Sequence, residues 1–210
     1  MQRDQVRLTK YFGDKHIKEP YRRKLCLVKL RLDKTIAQVE ARLGDGNPSY
    51  DPLAFKNEAE FARELEVVKN SLVHHNEANL TRGSLRDLMR LLDSCGFYLS
   101  KMDIRQESTL HSQAIHEIAS TLDEPVDYYA LNETERQAWL TQQLLRTDTL
   151  VYDRRQITIQ SADIISVFEL MSDMRKEVSE DCFGSYIISM THEASHLLEV
   201  ALLAKMAGLI

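Results

Sequence analysis

His192-Glu193-Ala194-Ser195-His196 spells H-E-x-x-H. On a helix, histidines four residues apart share a face and can hold zinc, with the glutamate between them as general base. A catalytic zinc also needs a third protein ligand. After His196 the chain reads Leu197-Leu198-Glu199-Val200-Ala201-Leu202, with no third histidine at the spacing of the three-histidine peptidases. Glu199 stands too close in sequence to be the distant carboxylate of the other large zinc-peptidase class. A zinc metallopeptidase using His192, Glu193 and His196 is therefore one alternative function. The plain reading of the same residues is a solvent-facing first helical turn.

The other reactive side chains are sparser. His74-His75 ends a helical pattern, where imidazolium suits the helix dipole. His111 and His116 lie five apart and share a helix face poorly. Cys26, Cys95 and Cys182 are odd in number and form no CxxC, so they read as reduced thiols in apolar stretches. No P-loop, GxGxxG or Ser/His/Asp order is present.

Net charge is −5 over 210 residues but uneven. Residues 1–43 carry 12 Lys/Arg against 5 Asp/Glu, and the remainder 15 against 27. Without aromatic residues interleaved among the basic ones, the basic segment reads as pairing with its own acidic chain, not with nucleic acid. No apolar run approaches the roughly 20 residues of a membrane span. The polar start Met1-Gln2-Arg3-Asp4-Gln5 lacks the apolar core of a secretion signal, and the reduced thiols lead to the expectation of a cytoplasmic location.

The elements that must position these residues are mostly helices. Pro20 suits a first helical turn, and Leu25, Val28, Leu32, Ile36, Val39 and Leu43 recur at helical spacing up to Gly44. Gly44-Asp45-Gly46-Asn47-Pro48 and Asp51-Pro52 read as a long loop. Phe61, Leu65, Val68 and Leu72 face inward on a second helix, antiparallel to the first. Ser84 to Asp87 resembles a capping box, opening a helix with Leu85, Leu88, Met89 and Leu92 inside and Gly96 at its end. Strands are expected near 98–105 and 185–190, parallel and adjacent or nearly so, because a helix follows each. Between them lie helices over 107–122, from Asn132 to Leu145, and from Ser161 with Ile164, Ile165, Phe168, Met171 and Met174 as its stripe. Thr191 is expected to cap the last helix.

The segment Lys101-Met102-Asp103-Ile104-Arg105-Gln106-Glu107-Ser108-Thr109-Leu110-His111 closely resembles the LDIRQES-x-x-H segment of phosphoenolpyruvate carboxylases. Glu19-Pro20-Tyr21-Arg22 is similar to the start of a long helix in that family. Leu88 to Leu99 resembles the helix and turn leading into its DIRQES strand. Ser185-Tyr186-Ile187-Ile188-Ser189-Met190 and the Leu-rich helix to Ala207-Gly208 resemble its YVISM segment and the helix after it. The resemblance runs from about residue 19 to the end. The chain departs from the pattern at Leu110, where the family usually has arginine. It departs again at His192-Glu193-Ala194 and His196, where the family has Lys-Thr-Pro and aspartate and holds no zinc.

The resemblance implies a mostly α fold with a few parallel strands, part of a TIM-type β/α barrel surrounded by helices. The chain reads as a single fragment, 1–210, with a helical region containing a helix hairpin over 1–95 and a partial barrel over 96–210. The implied activity is carboxylation of phosphoenolpyruvate by bicarbonate, giving oxaloacetate and phosphate. Arg105 is the implied catalytic and substrate-binding residue. Strand-end position and bidentate donors suit an arginine to that task. Asp103, Gln106 and Glu107 are read as supports that orient it. Mg²⁺ or Mn²⁺ would serve the parent enzyme through ligands outside this chain, with none expected here. The implied partners are the two substrates, the remainder of the parent chain and further subunits of a homotetramer. The isolated chain is expected to be inactive. A non-enzymatic helical interaction module is the remaining alternative.

Overall fold

The computed structural model describes residues 9–44, 51–148 and 150–210. Most of the expected loop after Gly44 lies outside them. The chain divides into two units, one up to Leu99 and the other Ser100–Ile210.

The first unit contains α1 (Pro20–Leu43), α2 (Glu58–His74) and α3 (Ser84–Cys95). Pro20 occupies the first turn of α1, where its missing N–H is not needed. Asn57 caps α2 by accepting the Glu60 N–H. Tyr21 bonds Ser71, Lys24 pairs with Glu64, and Arg31 pairs with both Glu64 and Glu60. Ascending α1 while descending α2, these ties make the antiparallel hairpin. Phe61, Leu65, Val68 and Leu72 are all buried along α2. Val28, Phe55, Phe61, Leu65 and Leu92 form the core of this unit.

The inner face of α1 corrects the sequence reading. Its buried residues are Leu27, Val28 and Arg31, whereas Ile36 is 54% and Leu43 85% exposed. The ties to α2 reach only as far as Arg31, so the later turns of α1 carry their apolar stripe uncovered. Arg31 instead bonds the Leu53 carbonyl and two glutamates, with its guanidinium 3.9 Å from the centre of the Phe55 ring. Ser84 also differs from expectation. It is the first helical residue, Gly83 is the cap position, and no side-chain capping bond forms. Gly96 ends α3 as expected, with φ of +50° and its N–H on Leu92.

The second unit runs β1 (Met102–Glu107), α4 (Ser108–Ser120), α5 (Glu133–Leu145), α6 (Ile159–Glu177), β2 (Phe183–Ser189) and α7 (Ser195–Met206). The two strands are parallel neighbours, as the β-then-α order predicts. Strand β1 begins four residues later than expected, because Leu99 takes a φ of +67° after the Gly96 turn. Asn132 and Glu135 form a true capping box on α5. Thr158 caps α6 by accepting the Ser161 N–H, so that helix starts two residues earlier than Ser161.

The core of this unit gathers Ala114, Ile115 and Ile118 from α4, Leu140 from α5, Ile164, Ile165 and Phe168 from α6, and Leu202 and Leu203 from α7. Tyr186 packs its ring on Phe168, 4.9 Å between centroids, and on His111. One sheet face, with Ile104, Gln106, Tyr186 and Ile188, is thus half-buried. The opposite face, with Asp103, Arg105, Glu107, Ile187 and Ser189, is exposed.

Candidate functional site

Strand alternation puts Asp103, Arg105 and Glu107 on the uncovered face. Arg105 stands opposite Ile187, near the C-terminal end of the parallel pair. It is exposed and, among the described residues, has no hydrogen bond or ion pair, so its five guanidinium N–H donors are unengaged by the protein. Such a group is equipped to receive a phosphate or carboxylate in bidentate fashion.

The three neighbours named as supports are each engaged elsewhere. Asp103 Oδ1 accepts the Ser185 N–H at 2.9 Å. Gln106 Oε1 accepts the Glu107 N–H, and Glu107 Oε1 accepts the Thr109 hydroxyl. They tie down the strand and the entry to α4, and none of these bonds goes to the guanidinium.

Behind the strand end lies a layer of buried polar contacts. Ser108, fully buried, donates from Oγ to the Met190 carbonyl at 2.7 Å. His111 Nε2 and the Tyr186 hydroxyl are 2.8 Å apart. Burial, and secondarily the charge of His196, pulls the His111 pKa down to about 4, and burial pushes the Tyr186 phenol up to about 12. Both groups are therefore neutral at pH 7.

Glu199 is fully enclosed, and its carboxylate accepts the hydroxyls of Ser112 and Tyr128. Burial raises its pKa above the ordinary carboxylate value, against the opposing pull of those two bonds. Sequence reading missed this cluster, although one signal was available. Glu199 lies between Leu198 and Val200 and shares a helix face with the buried Leu202 and Leu203, where a carboxylate must find partners.

The expected helix carrying H-E-x-x-H is corrected. Helix α7 begins at Ser195, so His192 and Glu193 lie exposed in the segment before it. The Ser195 N–H and hydroxyl both bond to Glu133, which anchors the helix start there and not at Thr191. The His192 backbone N–H points to His196 Nδ1 at 3.4 Å, a long contact. Among the described residues, no three His, Cys, Asp or Glu side chains are grouped to hold a metal ion. No helix is long and apolar enough to cross a membrane, again among the described residues.

Comparison with known proteins gives the family. Residues 1–210 match the family model for phosphoenolpyruvate carboxylase. The chain is 35% identical over 207 residues to the phosphoenolpyruvate carboxylase of Parasynechococcus marenigrum (strain WH8102), covering 91% of this chain and 20% of that protein. Its identity to the enzyme of that name from Prochlorococcus marinus (strain MIT 9301) is 36% over 219 residues, covering 98% and 21%. For Thermosynechococcus vestitus (strain NIES-2133 / IAM M-273 / BP-1) it is 34% over 215 residues, covering 99% and 21%. The chain spans about a fifth of the length of these curated relatives. With a family match along its whole length and the DIRQES segment forming β1 and the first residue of α4, the chain belongs to the phosphoenolpyruvate carboxylase family.

Proposed function

We propose that this chain works within a longer phosphoenolpyruvate carboxylase, where Arg105 binds the anionic substrate during carboxylation by bicarbonate to oxaloacetate and phosphate. The observation that carries the reading is an unpaired guanidinium at the C-terminal end of a parallel strand, on the face the helices leave open. In this reading the β1–β2 pair is one wall of a TIM-type β/α barrel, and the open face looks inward. Barrel sites are built at that end of the strands. Asp103, Gln106 and Glu107 support the strand that presents Arg105.

Among the described residues no group of His, Cys, Asp or Glu side chains fits a divalent cation. The ligands for Mg²⁺ or Mn²⁺ would come from the rest of the longer enzyme. The whole enzyme would work as a cytoplasmic homotetramer.

The isolated chain is proposed to be inactive. An exposed ion pair contributes about 0–1 kcal/mol, too little to hold a multiply charged substrate. In an enclosed site the same guanidinium acts in low dielectric, and losing one such donor costs about 3 kcal/mol, roughly a hundred- to thousand-fold in rate.

The test couples oxaloacetate formation to NADH oxidation, using the 210-residue chain and a full-length carboxylase carrying it. The expected result is no turnover by the chain and a fall of two to three orders of magnitude in kcat/KM for Arg105→Ala in the full enzyme. Turnover by the chain would overturn its inactivity, and near-normal Arg105→Ala activity would overturn the role of Arg105.

A further inference from the structure

The register of the parallel pair changes just before Arg105. Met102 pairs with Phe183 but Ile104 with Tyr186, so β2 advances three residues where β1 advances two. The extra residue falls at Gly184-Ser185. A bulge of this kind interrupts the ladder and leaves a backbone group to be satisfied otherwise. Here Asp103 supplies the acceptor, its Oδ1 lying 2.9 Å from Ser185 N. Gly184 makes room for that carboxylate. A Cβ at position 184 would lie 2.5 Å from Asp103 Oδ1, while the next residue it would meet, Lys101, is 3.9 Å away at Cβ.

We propose that Asp103 is a positioning residue for Arg105: by holding the Ser185 amide it fixes the bulge that sets β2 against β1. The inference rests on the reading of Arg105 as a substrate-binding residue. Side chains alternate with a period of two, so a one-residue slip changes which residues share a face. With the bulge, Tyr186 pairs with Ile104 and reaches His111 and Phe168, while Arg105 pairs with Ile187 on the open face. Without it, continuing the Met102–Phe183 register would set Tyr186 beside Arg105. The phenol would leave its histidine, and a bulky ring would crowd the guanidinium.

The experiment follows amide hydrogen exchange at Ser185 by NMR in the 210-residue chain. Asp103→Asn keeps an acceptor oxygen and should keep the amide protected. Asp103→Ala should speed exchange at Ser185 at least tenfold. Gly184→Ala should lower the thermal midpoint when Asp103 is present and leave it unchanged in an Asp103→Ala background. Where Asp103→Ala fails to fold, the Asp103→Asn arm still decides, because loss of Ser185 protection there overturns the clamp. Equal Ser185 protection in wild type and Asp103→Ala, or loss of protection in Asp103→Asn, would overturn the clamp.

In a full-length carboxylase, Asp103→Ala should raise KM for phosphoenolpyruvate at least fivefold, with Asp103→Asn restoring it. Lost protection with unchanged KM would overturn the positioning role. Normal KM and kcat in Arg105→Ala is the separate result that defeats the reading of Arg105 itself.

Discussion

Ser108 and Met190, 82 residues apart in sequence, meet where the hydroxyl of the first donates to the carbonyl of the second at 2.7 Å. The bond joins the first residue of α4 to the residue after β2. Met190 adopts a φ of +56°, a conformation that a non-glycine residue takes only when its surroundings hold it there. Ser108→Ala removes the donor and leaves the carbonyl to find another. The expected loss is about 1–3 kcal/mol of stability. Chemical denaturation of the two proteins checks it, and identical midpoints would show that the bond is dispensable.

Arg31 joins a carbonyl, two carboxylates and an aromatic face. Arg31→Met preserves much of the volume but leaves Glu60 and Glu64 without this cation. The expected cost is on the order of 3 kcal/mol. Arg31→Lys should recover only part of it, because an ammonium cannot serve three acceptors in the plane of a guanidinium fork. A lysine variant as stable as the parent would argue that charge alone suffices.

His111 makes stability depend on pH in one direction. Its folded pKa, about 4, lies below the ordinary histidine value of 6.5. The unfolded chain takes up a proton in that interval and the folded chain does not. This contribution is complete above about pH 6.5 and is lost as pH falls toward 4. His111→Gln should flatten that part of the profile. In an NMR titration of the wild type, one histidine ring should stay neutral until about pH 4.

Glu199 acts in the opposite direction. Its folded pKa is raised, so the folded chain keeps a proton that the unfolded chain releases near 4.5. The contribution is complete below that value and is lost as pH rises through the folded pKa. Glu199→Gln should remove this slope while keeping the shape of the side chain. Unfolding free energies of both proteins from pH 4 to 8 provide the check, and parallel curves would count against a perturbed Glu199.

Zinc content provides a further check. His192 and Glu193 precede α7, and no third ligand stands near His196 among the described residues. Tag-free protein equilibrated with zinc and then dialysed should hold none in stoichiometric amount. One tightly held zinc that disappears in His196→Ala would reverse this expectation.

How much was legible in the sequence depended on whether local or distant contacts decided the outcome. The α2 stripe from Phe61 to Leu72 and the start of α5 at Asn132 followed from local periodicity and short-range bonding. The strands were found, because β-branched and bulky residues before helices mark them. The stripe on α1 misled because spacing reveals a helix face without revealing how far a partner covers it. Thr191 misled for a related reason: α7 starts where Glu133, 62 residues earlier, receives Ser195. Arg105 was singled out by its motif, and the structure adds only its place on the exposed strand face. The engagement of Asp103 with Ser185, and of Glu199 with Ser112 and Tyr128, depends on distant segments that no local pattern brings together.

The clamp between Asp103 and Ser185 closes a span of 82 residues and also bears on folding order. Bringing such distant segments together costs chain entropy before any ladder bond repays it. Helices α4 and α6 lie within that span and pack on each other, and Trp139 meets Tyr128 within it, so these nearer contacts can form first. Trp139 on α5, which packs against Tyr128, should therefore reach its native fluorescence before the Ser185 amide becomes protected. Pulse-labelled exchange beside stopped-flow fluorescence would reveal the order, and simultaneous arrival would mean that the sheet and the helices form as one cooperative unit. With that order, the face that presents Arg105 is completed last, so slow steps in refolding should govern recovery of the site more than recovery of helix content.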